Sequence, residues 1–344
     1  MTSPESSTRM FSEAAETADV VSRQLKFNTV RVARIAQELR QRDPGFIITV
    51  ARGSSDHAAN TAKYLLETRT GRPVCSLGPS VVSVYDTEMK VEGSLCLLIS
   101  QSGASPDLLA VAEAAQRGGA YVVAVVNVQD SPLAQLADEV LPIHAGPETS
   151  VAATKSFIGS LTAIIHLLSE WQDDNELRQA LAQSPDGFRA AWSADWSPAL
   201  ETLSKSRDLY VLGRGIGLGI AREAALKFKE VCGLHAEAFS SAEVMHGPVT
   251  IARDDFPVLA LAQDDATRPG LEDLVSQLCS RDVPVMTAGF CHDDALALPG
   301  PSAHPVIEPL LRIQSFYRLV NALSLQMGLD PDSPPYLKKV TSTV

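Results

Sequence analysis

With 344 residues, 45% of them hydrophobic and 20% charged, the chain has the composition of a folded, soluble protein of about two domains. Its 41 acidic residues outnumber 29 basic ones, giving a formal charge of −12. That balance excludes a nucleic-acid or anionic-membrane surface, since either partner needs a basic face. It leaves room for a local positive pocket that binds a small anion.

The N-terminal MTSPESST has no basic region leading into an apolar core, so no signal peptide is expected. A helical segment, 1–44, comes first. FIITVARGSSDHAANTAKYLL (46–66) then reads as strand, glycine turn and helix, and LCLLIS (95–100), YVVAVVN (121–127) and EVLPI (139–143) read as further strands. The helix TKSFIGSLTAIIHLLSEW closes this copy. Its apolar core, 157–168, is shorter than a membrane span and contains His166. A polar helical connector, 172–205, leads to DLYVLGRGIGLGIAREAALKFKEV (208–231), which repeats the strand–glycine–helix pattern. PVLALA (257–262), VPVMTAG (283–289) and HPVIEP (304–309) follow, the last feeding the helix LLRIQSFYRLVNALSLQMG. The Arg-Gly pairs Arg52-Gly53 and Arg214-Gly215 lie 162 positions apart (214 − 52), and Tyr121 and Val283 open their strands at the same offset. Five matched pieces at an offset of 162 or close to it (304 − 139 = 165 for EVLPI and HPVIEP) predict a duplicated α/β domain. The expected division is 1–44, a first domain 45–171, the connector 172–205, a second domain 206–329, and an extended C-terminal strap 330–344.

Five cysteines (Cys75, Cys96, Cys232, Cys279, Cys291) form no CxxC pair, and several lie in apolar runs. Buried free thiols in a reducing cytoplasm are expected.

Three polar turns of the first copy each leave a strand and open a helix: RGSSD (52–56), SQSGAS (100–105) and PETSVAATKS (147–156). Ligands of open parallel sheets bind beyond the carboxyl ends of the strands. Helix N-termini there offer backbone N–H groups, and serine hydroxyls add donors without bulk. Gly103 would let backbone approach an anion closely. A single such turn is better read as helix capping; three converging ones point to phosphate. Nucleotide motifs fail. GRGIGLGIAR lacks glycine at Leu218 and Ile220, and Thr154 stands where the P-loop glycine before Lys155-Ser156 belongs.

The second copy holds the ionisable cluster, ALKFKEVCGLHAEAFSSAEVMHGP (225–248). Lys227 and Glu230 share a helix face at i, i+3, the spacing of an ordinary salt bridge as well. His235, Glu237, Glu243 and His246 follow. Glu243-x-x-His246 has no second half to complete a metal site, so neither metal nor cofactor is expected. A carboxylate and an imidazole near phosphate suit proton transfer on a sugar.

These residues resemble the SIS (sugar isomerase) family along nearly the whole chain: two tandem SIS domains, each a five-stranded parallel sheet flanked by helices in a flavodoxin-like arrangement, and a C-terminal strap. SQSGAS resembles the family's phosphate loop. SVAATKS, LGRG, ALKxKE, HAEAFSSAE and HGP resemble the isomerase half of the glucosamine-6-phosphate synthases. Met1 leads into a short helix rather than the N-terminal cysteine of a glutaminase domain, so ammonia drawn from glutamine is not expected. Met245 and Ala242 replace the synthases' lysine and glycine. RGSSDHA, GPSVxSVY (78–85), KEVCxxHAEAFSSAEVMHGPVT and LKKVT resemble more closely the SIS-type glucosamine-6-phosphate deaminases.

The resemblance implies conversion of D-glucosamine 6-phosphate and water to D-fructose 6-phosphate and ammonia. Ser54, Ser55, Ser100, Gln101, Ser102 and Ser105 would hold phosphate and sugar hydroxyls, and Val151 and Ala152 would add backbone contacts. Glu230 would move the C1/C2 proton, with Lys227 beside it. His246 would assist ring opening from a neighbouring subunit, implying a homodimer with shared active sites. Lys339 would meet the open-chain carbonyl, with Lys338 the alternative one position away. Rival readings within this architecture are a galactosamine-6-phosphate deaminase/isomerase, a fructosamine-phosphate deglycase and an ammonia-dependent synthase. A non-catalytic sugar-phosphate sensor is the rival of another class.

Overall fold

A computed structural model describes residues 7–339. In chain order it begins with α1 (Arg9–Ala15), α2 (Thr17–Arg42), β1 (Ile47–Val50), α3 (Ser54–Thr70), β2 (Val74–Ser76) and α4 (Ser80–Ser83). There follow β3 (Leu95–Ser100), α5 (Pro106–Arg117), β4 (Tyr121–Val126), α6 (Pro132–Leu136), β5 (Glu139–Pro142), α7 (Lys155–Trp171) and α8 (Asn175–Ser193). The rest comprises α9 (Leu200–Lys205), β6 (Asp208–Gly213), α10 (Gly217–Cys232), β7 (His235–Ser240), β8 (Val258–Leu261), α11 (Arg268–Cys279), β9 (Val285–Ala288), β10 (Leu296–Leu298) and α12 (Glu308–Gln326). Among the described residues no helix is long and apolar enough to cross a membrane.

The described residues form two compact units. One holds 19–148 and 155–182; the other holds 7–18, 149–154 and 183–339. Each contains one five-stranded parallel sheet, ordered β2-β1-β3-β4-β5 in the first and β10-β9-β8-β6-β7 in the second. Chain order maps one sheet onto the other, so the expected pair of five-stranded α/β domains is present. Register repeats too. Ile47 pairs with Val74 and Asp208 with His235, a separation of 27 in both (74 − 47 and 235 − 208). Ile47 also pairs with Leu95 and Tyr210 with Val258, a separation of 48 in both (95 − 47 and 258 − 210).

The central strands are unbroken apolar runs because helices cover both faces of a parallel sheet. IITV, LCLLIS and YVVAVV are buried at every position. Helices α3 and α10 end at Gly71 (φ 68°) and Gly233 (φ 61°), whose N–H groups reach Glu67 and Phe228 carbonyls in left-handed caps.

Three expectations need correction. The fifth strand of the second sheet is Leu296–Leu298, not HPVIEP. Pro305 cannot donate to a ladder, and the Ile307 N–H bonds to the His304 carbonyl in a turn that feeds α12. Val306 and Ile307 are apolar because that turn is buried. The edge strands β2 and β7 escape the hydrophobic pattern because they are short or half exposed. Of the cysteines only Cys96 and Cys232 are buried, and burial pushes both thiols up to about 12; Cys75 and Cys291 are exposed.

Candidate active site

In the unit of the first sheet, RGSSD follows β1 and SQSGAS follows β3. These strands are direct neighbours, yet the chain leaves β1 towards β2 on one side and continues from β3 to β4 on the other. That is the topological switch point, where a crevice opens beyond the carboxyl ends of the strands. The fold therefore brings Ser54, Ser55, Ser100, Gln101, Ser102 and Ser105 to one sheet edge.

Capping does not account for the serines. Ser131 caps α6 by accepting the Ala134 N–H at 3.3 Å. Ser105, at the equivalent position of α5, makes no such bond, and Gly53 precedes α3 with no side chain at all. The Ser100 hydroxyl, almost fully buried, accepts the Gly103 N–H at 3.0 Å, and that of Ser102 accepts the Ala104 N–H at 3.4 Å. Both keep their O–H as a donor. The loop is pinned from outside as well: the Asn127 N–H reaches the Gln101 carbonyl at 3.2 Å and the Leu133 N–H reaches that of Gly103 at 3.0 Å.

Gly103 is required twice over. Its φ is 61°, and a Cβ there would lie 2.1 Å from the Ser131 hydroxyl. Gly103→Ala is expected to cost about 1–3 kcal/mol through backbone strain alone. It should lower both the melting temperature and affinity for a phosphorylated sugar, read by thermal unfolding and calorimetry. Unchanged binding in a folded variant would show that the loop shape is not needed.

A salt bridge links the two turns. Arg52 Nε and Nη2 both lie 2.8 Å from Asp107 Oδ2, and the Asp107 side chain has no exposure. Pattern reading missed Asp107, whose partner is 55 residues away in sequence.

The third polar turn is divided. Glu148 stays in the first unit, where it accepts the Ser156 N–H at 3.0 Å and its hydroxyl proton. Residues 149–154, including Val151 and Ala152, belong to the second. There the nearly buried Glu13 carboxylate accepts the Thr149 N–H at 2.6 Å, the Thr149 hydroxyl at 2.9 Å and the Ser150 N–H at 3.1 Å. The Val151 N–H meets the Asp332 carbonyl at 3.4 Å. The Asp332 carboxylate in turn caps α1 through the Arg9 and Met10 N–H groups, each at 2.7 Å. Asp332 and this loop are thus both tied to α1.

On α10, Lys227 has no exposure and lies between two carboxylates: Glu223 at 3.3 Å, itself wholly buried, and Glu230, which bonds it directly and keeps 20% exposure. The Tyr317 hydroxyl from α12 donates to Glu223 at 3.4 Å. Burial alone would lower the lysine pKa, but Glu223 and Glu230 outweigh it and hold the ammonium above its ordinary value. The expected Lys227–Glu230 pair is therefore present. Glu223 was missed, although its spacing four residues before Lys227 was a readable signal. The bond networks differ sharply at the remaining positions. His246 is exposed in a 3₁₀ turn, Glu243–His246, anchored by buried Val244, and makes no hydrogen bond or ion pair among the described residues. His235 is also exposed and pairs with Asp208 at 2.7 Å. Lys339 is half-buried and Lys338 exposed. No group of three His, Cys, Asp or Glu side chains among the described residues could hold a metal ion.

The sequence model of the SIS domain matches residues 39–169 and 202–299. Glutamine–fructose-6-phosphate aminotransferase (isomerizing) of Zymomonas mobilis is 31% identical over 316 residues, which are 85% of this chain and 51% of that enzyme. The enzyme of the same name from Methanothermobacter thermautotrophicus is 33% identical over 302 residues, which are 85% of this chain and 51% of that enzyme. The chain spans about half the length of these curated relatives. Among solved structures, a protein of Silicibacter pomeroyi DSS-3 that carries the name phosphosugar isomerase is 45% identical, with a TM-score of 0.91 over 94% of this chain and 100% of that one. The C-terminal domain of glucosamine-fructose-6-phosphate aminotransferase from Francisella tularensis is 25% identical, with a TM-score of 0.88 over 97% of this chain and 100% of that one.

Proposed function

The chain belongs to the SIS domain family, and on that premise we propose that it is an amino-sugar phosphate deaminase that isomerises D-glucosamine 6-phosphate to D-fructose 6-phosphate with release of ammonia. The observation that carries this reading is the α10 array. A buried lysine is clamped by two carboxylates, and only Glu230 of the three keeps an exposed edge. Such a carboxylate is oriented by its cation and still accessible to a substrate proton.

The serines of the β1 and β3 turns hold the 6-phosphate, and Val151 and Ala152 contact the sugar through backbone. The Val151 N–H is already engaged by Asp332, so that contact falls to the carbonyls. His246 assists ring opening. It is exposed on its own subunit, as a group serving a second copy in a homodimer must be. Glu230 takes the C2 proton of the open-chain aldehyde while the C1 oxygen gains a proton, giving a C1=C2 enolamine. Returning the proton to C1 leaves a C2 imine. Water adds at C2 and ammonia departs, which yields the ketone. Lys339 meets the carbonyl oxygen of the open chain.

The test is incubation of the purified protein with glucosamine 6-phosphate, with fructose 6-phosphate and ammonia measured together in equal amounts. Ammonia from galactosamine 6-phosphate alone would reassign the sugar. Binding of hexose phosphate without turnover would replace the enzyme with a sensor.

A further inference from the structure

We propose that Arg52 is a phosphate-binding residue, held in place by the buried carboxylate of Asp107; this rests on the reading of the serine turns as the phosphate site. Arg52 stands between the end of β1 and Gly53, the residue that precedes α3. Asp107 lies in the first turn of α5, two residues after Ser105. Their contact crosses the β1/β3 switch point from one turn to the other.

The pair is lopsided. The Asp107 side chain has no exposure, and its Oδ1 accepts the Leu108 N–H at 2.9 Å; Arg52 keeps 45% exposure. A fully buried carboxylate needs a cation, so Asp107 fixes one edge of the guanidinium, the edge formed by Nε and Nη2. A guanidinium has five N–H donors in a rigid plane. The donors not used by Asp107 diverge from that edge and have no partner among the described residues. A structural tie would use the fork fully or bury it. Here a charged fork is left half exposed on the turn after β1 that also carries Ser54 and Ser55.

Charge and entropy support the same role. Asp56 and Asp107 lie in the first turns of α3 and α5, so without Arg52 these turns would repel a phosphate dianion. Its side chain is already ordered by Asp107, so less rotamer freedom is lost on binding. Planar guanidinium suits phosphate oxygens in paired contacts.

The experiment is calorimetric titration of the whole chain with inorganic phosphate and with fructose 6-phosphate, in the absence of ammonia. Arg52→Gln takes the cation away from a buried carboxylate and destabilises the loop, so the deciding variant is Arg52→Gln combined with Asp107→Asn, which leaves a neutral pair. Circular dichroism confirms its fold. The inference expects this variant to bind both ligands about 10- to 100-fold more weakly, and Arg52→Lys to fall between it and the parent. Parental affinity in the double variant overturns the inference and leaves the phosphate reading standing. Failure of the parent protein to bind either ligand overturns both.

Discussion

Glu230→Gln will lower kcat on glucosamine 6-phosphate by about 10²–10⁴, the usual worth of a positioned proton-transfer group, while KM changes little. The amide keeps the shape of the carboxylate but cannot accept the C2 proton. The fold should survive because Lys227 retains Glu223, at 3.3 Å and fully buried. Glu230→Asp, which keeps the charge but shortens the reach, should recover part of the rate. Full kcat in a folded Glu230→Gln enzyme would remove Glu230 from the chemistry, and a large fall in melting temperature would recast it as structural.

The largest stability effect is expected at Lys227. Lys227→Met leaves Glu223 buried without its cation, and breaking a buried pair in this way costs about 3–5 kcal/mol. A lower denaturation midpoint measures it. Combining Lys227→Met with Glu223→Gln removes the stranded charge and should restore most of the loss. The Tyr317 hydroxyl keeps an acceptor in that variant, since the new amide oxygen at position 223 stands where the carboxylate oxygen was. No recovery would show that the cost lies in packing rather than charge. The array also sets a pH dependence. The folded ammonium is held above its ordinary value by Glu223 and Glu230, against the opposing effect of burial. The folded state therefore binds this proton more tightly than the unfolded state does. The stabilisation is complete below the unfolded lysine pKa of about 10.4 and is lost as pH rises through the folded value. Alkaline unfolding should thus be steeper in the parent protein than in the double variant.

Legibility tracked the range of the interactions involved. Strands β1, β3, β4, β6, β8 and β9 were readable because burial on both faces demands unbroken apolar runs. Of the edge strands only β5 was readable, through its apolar run; β2, β7 and β10 are short or partly exposed, so their residues carry no such signature. HPVIEP was misread for the complementary reason: a buried turn is as apolar as a strand. The serine turns were plain in sequence, but their meeting at one switch point follows only from the order β2-β1-β3-β4-β5. The same holds for charge. Lys227 and Glu230 could be paired from spacing alone, whereas the depth of Glu223 depends on α12, which brings Tyr317 against it. Nothing in the local pattern marks Asp107, an acidic residue in the first turn of α5; only the fold sets Arg52 beside it.

The sequence by itself determined the strand and helix pattern, the serine turns and the Lys227–Glu230 face, because periodicity, turn chemistry and i, i+3 spacing act between residues a few positions apart. It determined the duplication because the same pattern returns at an offset of 162 or close to it. Only the tertiary structure decided which strands are neighbours, that residues 149–154 fold with the second unit, and which charges lose contact with water. Those outcomes depend on packing between segments tens to hundreds of residues apart, and no local pattern records it.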